Sequence, residues 1–525
     1  MKRLTAFLLC MVLSFGLLAG CGSEKEPYTP TGDGLSYDED YTGPVYTRPQ
    51  SDEVQALTLT YYPKVSMNPI LCTDFTNRAL FSLIYQGLFT VDRNYNVEPM
   101  LCKNYSVSED MKTYVFYLEE AKFSDGQALT AQDVLATLNA AQKSDFYGGR
   151  FTHLEEIGIT KEGGIQIKMD TPCENLPLLL DIPIIKKNQQ TAKKPLGTGP
   201  YMLDTSGEKA VLRKNTDWWC SPRMVITAPA ISLVEAKSVT QIRDEFEFAD
   251  LSLVCADPGS DHYADYRCDY ELWDIENNIF LYLATNMDSP VFSVPEIRAA
   301  LPRAVDRETI ADSFYRGFAR ASSLPASPLS PYYSQVLAEK YAYTGASELK
   351  KAVKAANLPA DTAVTLLVNK DDSLRVRVAR SVAQMLRKGG LTVKVQEESG
   401  NAYRTCLKNR QYDIYLGQTK LSSNMDLSHF FATNGSLSYG GINDIAFYTL
   451  CLDSLANQGN YYTLHQNVLN DGRLCPILFR SYAVYAVRGL LTDLKPARDN
   501  VFYYSLDKSM ERAKLEVEEK NNNTF

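Results

Sequence analysis

The sequence predicts an α/β protein of more than one domain, and three observations carry that expectation. Helical and strand patterns alternate over a long stretch: helix at 349–356, strand at 363–368, amphipathic helix at 375–387, strand at 391–395, helix at 402–408 and strand at 412–416. Such alternation implies right-handed crossovers and a largely parallel sheet, with ligands gathering beyond the carboxyl ends of its strands. The chain has 525 residues, more than one hydrophobic core usually organises. A strand, tight turn and capped helix are also legible between residues 113 and 134.

That last unit can be justified residue by residue. Tyr114, Phe116 and Leu118 alternate with Val115 and Tyr117, the period of a strand. Asp125-Gly126 makes the turn, since glycine supplies a positive φ and the aspartate can bond the backbone beyond it. Thr130 is an N-cap with Asp133 three residues on, close to a capping box. Nearer the start, Leu57, Leu59 and Tyr61 alternate with threonines as a strand. Residues 78–88 read as a helix burying Leu80, Leu83, Ile84 and Leu88. Later, Phe280, Tyr282 and Ala284 alternate toward Asn286, and Pro295 opens a helix that Pro302 is expected to end or kink. Asp306 caps the next helix, which Gly317 closes.

The wording of these blocks resembles family 5 of the extracytoplasmic solute-binding proteins, the receptor subunits of ABC importers. The resemblance rests on S-x-x-x-D at Ser106 to Asp110, T-Y-x-F-x-L at Thr113 to Leu118, and F-x-D-G-x-x-L-T-A-x-D-V at Phe123 to Val134. Four further blocks fall in family order: Asn68-Pro69 with Tyr85, Gly87 and Leu88; G-T-G-P-Y at Gly197 to Tyr201; Asn286 to Phe292 running into V-x-E-I-R-A-A-L; and A-V-D-R at Ala304 to Arg307. The match covers nearly everything after the first fifty residues. It implies a periplasmic-binding-protein-like type II fold, with two lobes joined by hinge strands plus an inserted third domain. On that pattern residues 51–75, 196–278 and 482–525 form a main lobe, 76–195 the insert and 279–481 a second lobe, the lobes closing around a solute.

The start of the chain carries its own signal. Met1-Lys2-Arg3 is basic, and residues 4–18 are apolar but shorter than the roughly 20 a spanning helix needs. Leu18-Ala19-Gly20-Cys21 then looks like a bacterial lipobox, which implies a signal peptide over 1–20 and a lipidated Cys21, palmitate included. Residues 21–50 are polar and broken by prolines and glycines, so a flexible tether on the outer face of the cell membrane is expected.

Composition limits the function. The net charge of −9, without a long basic run, argues against a nucleic-acid partner. Motifs for phosphate cradling, nucleophilic hydrolysis and zinc proteolysis are absent, so no enzyme, metal or cofactor is expected. The four histidines, His153, His262, His429 and His465, each stand alone and read as packing or surface residues, with His429 closest to the expected cleft. After Cys10 and Cys21 nine cysteines remain without a C-x-x-C pair, and Cys72 with Cys102 is one pair a disulfide could join. Trp218 and Trp219 read as packing residues.

The ligand site follows from the resemblance alone, and there the chain departs from its relatives. In oligopeptide-binding members, an aspartate after the strand at 412–416 pairs with the peptide's amino terminus. Here Ser423 stands at that place within Ser422-Ser423-Asn424, and the nearest carboxylate is Asp426. Either Asp426 substitutes, or the ligand lacks a free amino terminus, because a buried ammonium without a counter-charge is costly. Asn68, Tyr147 and Phe479 complete the candidate set. Tyr412 and Tyr482 are further aromatic candidates, and Arg480 is either a carboxylate partner or a salt-bridge residue. The resemblance implies a small solute, peptide foremost, with ABC permease and ATPase subunits as partners. A sensor or adhesion lipoprotein of the same fold is the alternative, and a peptide hydrolase a third.

Overall fold

The computed structural model describes residues 57–503 apart from 225, 227, 236–237, 249, 259–265, 360, 488–494 and 498–499. Cys21, the leader, the tether, His262 and the end of the main lobe beyond 503 lie outside the described residues. The architecture is mixed α/β, with two lobes built on one eleven-stranded sheet. In spatial order its strands are Thr392–Glu398, Ala363–Asn369, Ile414–Lys420, Glu271–Thr285, Leu474–Ala486, Leu253–Ala256, Leu57–Thr60, Ala230–Val234, Val211–Lys214 and Tyr201–Asp204. Ala319–Ala321 adds to the Leu474–Ala486 strand.

Two of these strands are long, 15 and 13 residues, and pass from one lobe to the other. Their first register runs from Glu271↔Ala486 to Glu276↔Ser481, slips, and resumes at Phe280↔Phe479. Partners change across the slip. Residues 483–486 pair with Leu253–Ala256 of the main lobe, and residues 279–285 pair with Ile414–Lys420 of the second lobe. Asn278 takes a positive φ of 54° there, a conformation asparagine tolerates better than most residues. The irregularity lets one pair of strands belong to two differently oriented half-sheets.

The parallel sheet expected in the second lobe is only partly present. Ala363–Asn369 runs parallel to both of its neighbours, as helix–strand alternation requires. The crossover strand Glu271–Thr285 is antiparallel both to Ile414–Lys420 and to the other crossover strand, because the chain enters the lobe along one crossover strand and leaves along the other. The sixteen-residue helix Ser373–Lys388 covers this sheet, burying Leu374, Val378, Val382 and Leu386 at helical spacing, with Asp372 accepting the Arg375 amide at 2.9 Å.

Between residues 102 and 169 a four-stranded antiparallel sheet, Cys102–Val107, Thr113–Leu118, Ile165–Met169 and Leu154–Ile159 in that order, packs against the helix Ala131–Ala141. Gly126 has φ 81°, and the Thr130 amide donates to Asp133 at 2.9 Å, which completes the capping box. The helix expected over 78–88 is instead two four-residue turns, Phe75–Arg78 and Phe81–Ile84. Its last turn is lost because the Ile84 carbonyl accepts the Gly199 amide at 2.9 Å, while the backbone at 86–88 pairs with residues 100–102 and 184. Pro302 lies inside the helix Pro295–Ala304, which ends two residues later. Cys72 and Cys102 are both free thiols.

Candidate functional site

A cavity of about 580 Å³ opens between the segment at 145–152 and the segment at 419–437, floored by Ile279 and Tyr482 of the crossover strands. One wall follows the Ala131–Ala141 helix, where a Gly148–Phe151 turn brings Phe146, Arg150 and Thr152 forward. The other wall begins where the Ile414–Lys420 strand ends, at the carboxyl edge of the sheet. Phe75 stacks on Tyr482 with ring centroids 3.7 Å apart. Phe146 carries the Arg78 guanidinium 3.3 Å from its ring centre and the Lys420 ammonium at 4.3 Å, so a lysine of one wall rests on an aromatic of the other.

Of the residues singled out in the sequence, Ser422, Ser423, Asp426, His429 and Tyr482 line this cavity together. Asn424 sits just behind it, its side-chain oxygen accepting from Ser422 at 2.7 Å and its carbonyl accepting from the Tyr461 hydroxyl. Tyr147 is buried behind Phe146 and accepts a bond from Arg78 at 3.0 Å. The other three stand elsewhere. Asn68 fastens the start of the main lobe, donating to the Gln190 and Ala192 carbonyls at 2.9 Å each. Phe479 is fully buried and stacks on Phe280 at 5.0 Å. Arg480 donates two bonds to Asp257, at 2.6 and 2.7 Å, beside the register slip.

The site also contains residues the sequence did not mark. His153, read as a packing residue, lies between two carboxylates, with Nδ1 3.3 Å from Asp170 and Nε2 3.4 Å from Asp426. Its Nε2 is also 3.1 Å from the Ser428 hydroxyl. Next to it, Thr152 Oγ1 and His429 Nε2 stand 2.6 Å apart, while Ser436 Oγ is 3.0 Å from His429 Nδ1. The Gln458 amide donates to Glu174 at 2.8 Å, and the Glu174 amide to the Leu455 carbonyl at 2.9 Å. Of these contacts, those of His153 with Asp426 and Ser428, of Thr152 with His429 and of Glu174 with Leu455 and Gln458 tie residues 152–174 to residues 426–458 and so join the two walls. A lone histidine gives no sequence signal of such a role, because its partners on the other wall, Asp426 and Ser428, are some 275 residues away.

Electrostatics make the His153 bridge pH-dependent. Burial alone would push the imidazolium's pKa down, but the Asp426 and Asp170 carboxylates outweigh it and hold the pKa above the ordinary histidine value. Burial likewise works against the Asp426 carboxylate, and His153 with the Ser428 amide and hydroxyl holds its pKa below the usual range. The histidine's contribution is complete below about pH 6.5 and is lost as pH rises through its raised pKa. The aspartate's is complete above about pH 4 and is lost as pH falls through its lowered pKa. Raising the pH from about 6 to about 9 is therefore expected to lower the thermal midpoint more in the native protein than in His153→Gln. Equal slopes in the two proteins would exclude the bridge as a source of stability.

Among the described residues no group of three or more His, Cys, Asp or Glu side chains is placed to hold a metal ion. Nor is any described helix long and apolar enough to cross a membrane. Residues 96–439 match the family described as "Bacterial extracellular solute-binding proteins, family 5 Middle". The chain belongs to this family. Its members are extracytoplasmic substrate-binding subunits of ABC importers rather than enzymes. The glutathione-binding protein GsiB of Salmonella typhi is 23% identical over 354 residues, 63% of this chain and 67% of the relative. Among solved structures, the ABC transporter substrate-binding protein CtaP of Listeria monocytogenes superposes with a TM-score of 0.70 at 18% identity, covering 85% of this chain and 97% of that one. The oligopeptide-binding protein AppA of Bacillus subtilis, in complex with a nonapeptide, gives 0.59 at 19% identity, covering 87% and 97%. These likenesses show that the chain shares the fold of the family.

Proposed function

We propose that this chain is the lipid-anchored substrate-binding subunit of an ABC importer, capturing a peptide-like solute between its lobes and delivering it to a membrane permease driven by an ATPase. The observation that carries the reading is the cavity of about 580 Å³, whose walls come from the insert and the second lobe and whose floor is the crossover strands. A solute there touches both walls and the crossover strands at once, so its binding free energy can hold them together. The volume lies in the range of small-molecule sites. Relatives named for binding glutathione and oligopeptides favour a peptide-like solute. In this reading Cys21 carries the lipid and residues 22–50 the tether, while 51–75, 196–278 and 482–525 make the main lobe around an insert at 76–195.

Native mass spectrometry of the soluble form starting near Ser51, purified gently and then denatured, tests the proposal. A co-purified peptide or peptide conjugate is the expected result. A non-peptide adduct would move the ligand class. An empty protein that shows no thermal shift with a peptide pool would overturn the import reading.

A further inference from the structure

The cavity has two carboxylates in its lining, Asp145 on the insert wall and Asp426 on the second-lobe wall. Asp145 is exposed, and an ion pair with an exposed group adds little. Asp426 is buried, with only 7% of its surface accessible, and its oxygens are already engaged. Oδ1 accepts the Ser428 amide at 2.8 Å, while Oδ2 accepts the Ser428 hydroxyl at 2.8 Å and faces His153 Nε2 at 3.4 Å. An incoming ammonium would have to displace the imidazolium, leaving that cation buried with Asp170 alone, and breaking a buried pair in this way is strongly unfavourable.

The rest of the lining is rich in hydroxyl groups from both walls. Ser422 is committed to Asn424, and Ser436 and Thr152 stand against His429. The buried Ser423 hydroxyl has no hydrogen-bond partner within the protein, so it is left to meet an acceptor or donor on the solute. Lys420 adds a cation at the same wall, and Arg150 on the facing wall is neutralised by Asp181.

We infer that His153 is the built-in counter-ion of Asp426, so that the solute end held against residues 422–429 is uncharged or anionic, an acylated or otherwise blocked peptide end rather than a free amino terminus. The inference rests on the peptide-receptor reading above and adds the chemistry of one end of the solute. His153 acts by occupying a carboxylate that would otherwise select a cation, which makes it a specificity-determining residue.

The test uses the soluble receptor and two tripeptide pools of identical sequences, one with free amino termini and one N-acetylated, with binding followed by calorimetry. The native protein is expected to bind the acetylated pool at least about tenfold more tightly, and His153→Gln, which frees Asp426, to move the preference about tenfold or more toward free amines. A native preference for free amines that His153→Gln weakens would overturn the inference. If neither pool binds, the peptide reading fails, and a second measurement still judges the pairing. The His153 ring protons, titrated by NMR, are expected to show a midpoint above the ordinary 6.5 that falls by about one pH unit in Asp426→Asn. A midpoint that the substitution leaves in place would overturn the counter-ion assignment whether or not a peptide binds.

Discussion

Replacing Asp274 with alanine is expected to lower the unfolding free energy by about 3 kcal/mol, the low end of the cost of removing one partner from a buried charge pair. Asp274 lies on the Glu271–Thr285 crossover strand with its side chain 5% exposed. Arg93 reaches it from the turn between the Phe89–Val91 and Val97–Pro99 strands at 2.5 Å, and Arg320 from the Ala319–Ala321 strand at 2.9 Å. Ser481 of the other crossover strand is 3.4 Å away. Alanine would leave two guanidinium groups, each about four-fifths buried, facing the strand without their shared anion. Neighbouring Glu276 stands 3.8 Å from Arg320, a longer contact than the one Asp274 makes, and burial pushes its carboxyl's pKa up. Urea unfolding followed by the fluorescence of adjacent Trp273, itself buried, measures the effect. A change below about 0.5 kcal/mol, the level of an ordinary surface substitution, would show that the network contributes nothing to holding Arg93, Arg320 and the crossover strand together.

The second large effect is expected at Gly199. A Cβ there would stand 2.5 Å from the Ile84 carbonyl carbon, 2.6 Å from its oxygen and 2.8 Å from the Leu83 oxygen. All three are backbone atoms, so relief requires parting the main lobe from the turn at 81–84. Gly199→Ala is expected to cost about 3 kcal/mol or to abolish soluble expression, the upper end for overpacking a filled interior. Gly126→Ala serves as the control. Its φ of 81° makes alanine strained by about 1–2 kcal/mol, but nothing lies within 4 Å of the new carbon. If thermal melting places the two variants together, close backbone approach is not what the G-T-G-P-Y block provides.

The same contact explains where local reading of the sequence ran out. Leu80, Leu83, Ile84 and Leu88 have helical spacing and are buried, yet the helix stops at Ile84. Periodicity reports which side chains want burial, whereas the segment's backbone is claimed by residues 100–102, Ile184 and Gly199, all outside the segment. The helix Ser373–Lys388, the strand Thr113–Leu118 and the capping box at Thr130 were legible because their determinants lie within a few residues of one another.

The site divides in the same way. The segment 422–426 was found through its position after a strand, and the fold brings Ser422, Ser423 and Asp426 into one cavity lining. Asn68, Phe479 and Arg480 came from the same resemblance, and the fold commits them to backbone fastening, core stacking and an ion pair with Asp257. What sequence alone determined is the family, the α/β class and the local elements, since these depend on short-range periodicity, turn chemistry and ordered motif blocks. The tertiary structure decided which groups face one another across the cavity. His153 and Asp426 are ordinary residues in the chain. They become a buried bridge between the two walls of the cavity only when folding removes water from both and leaves each as the other's charge partner.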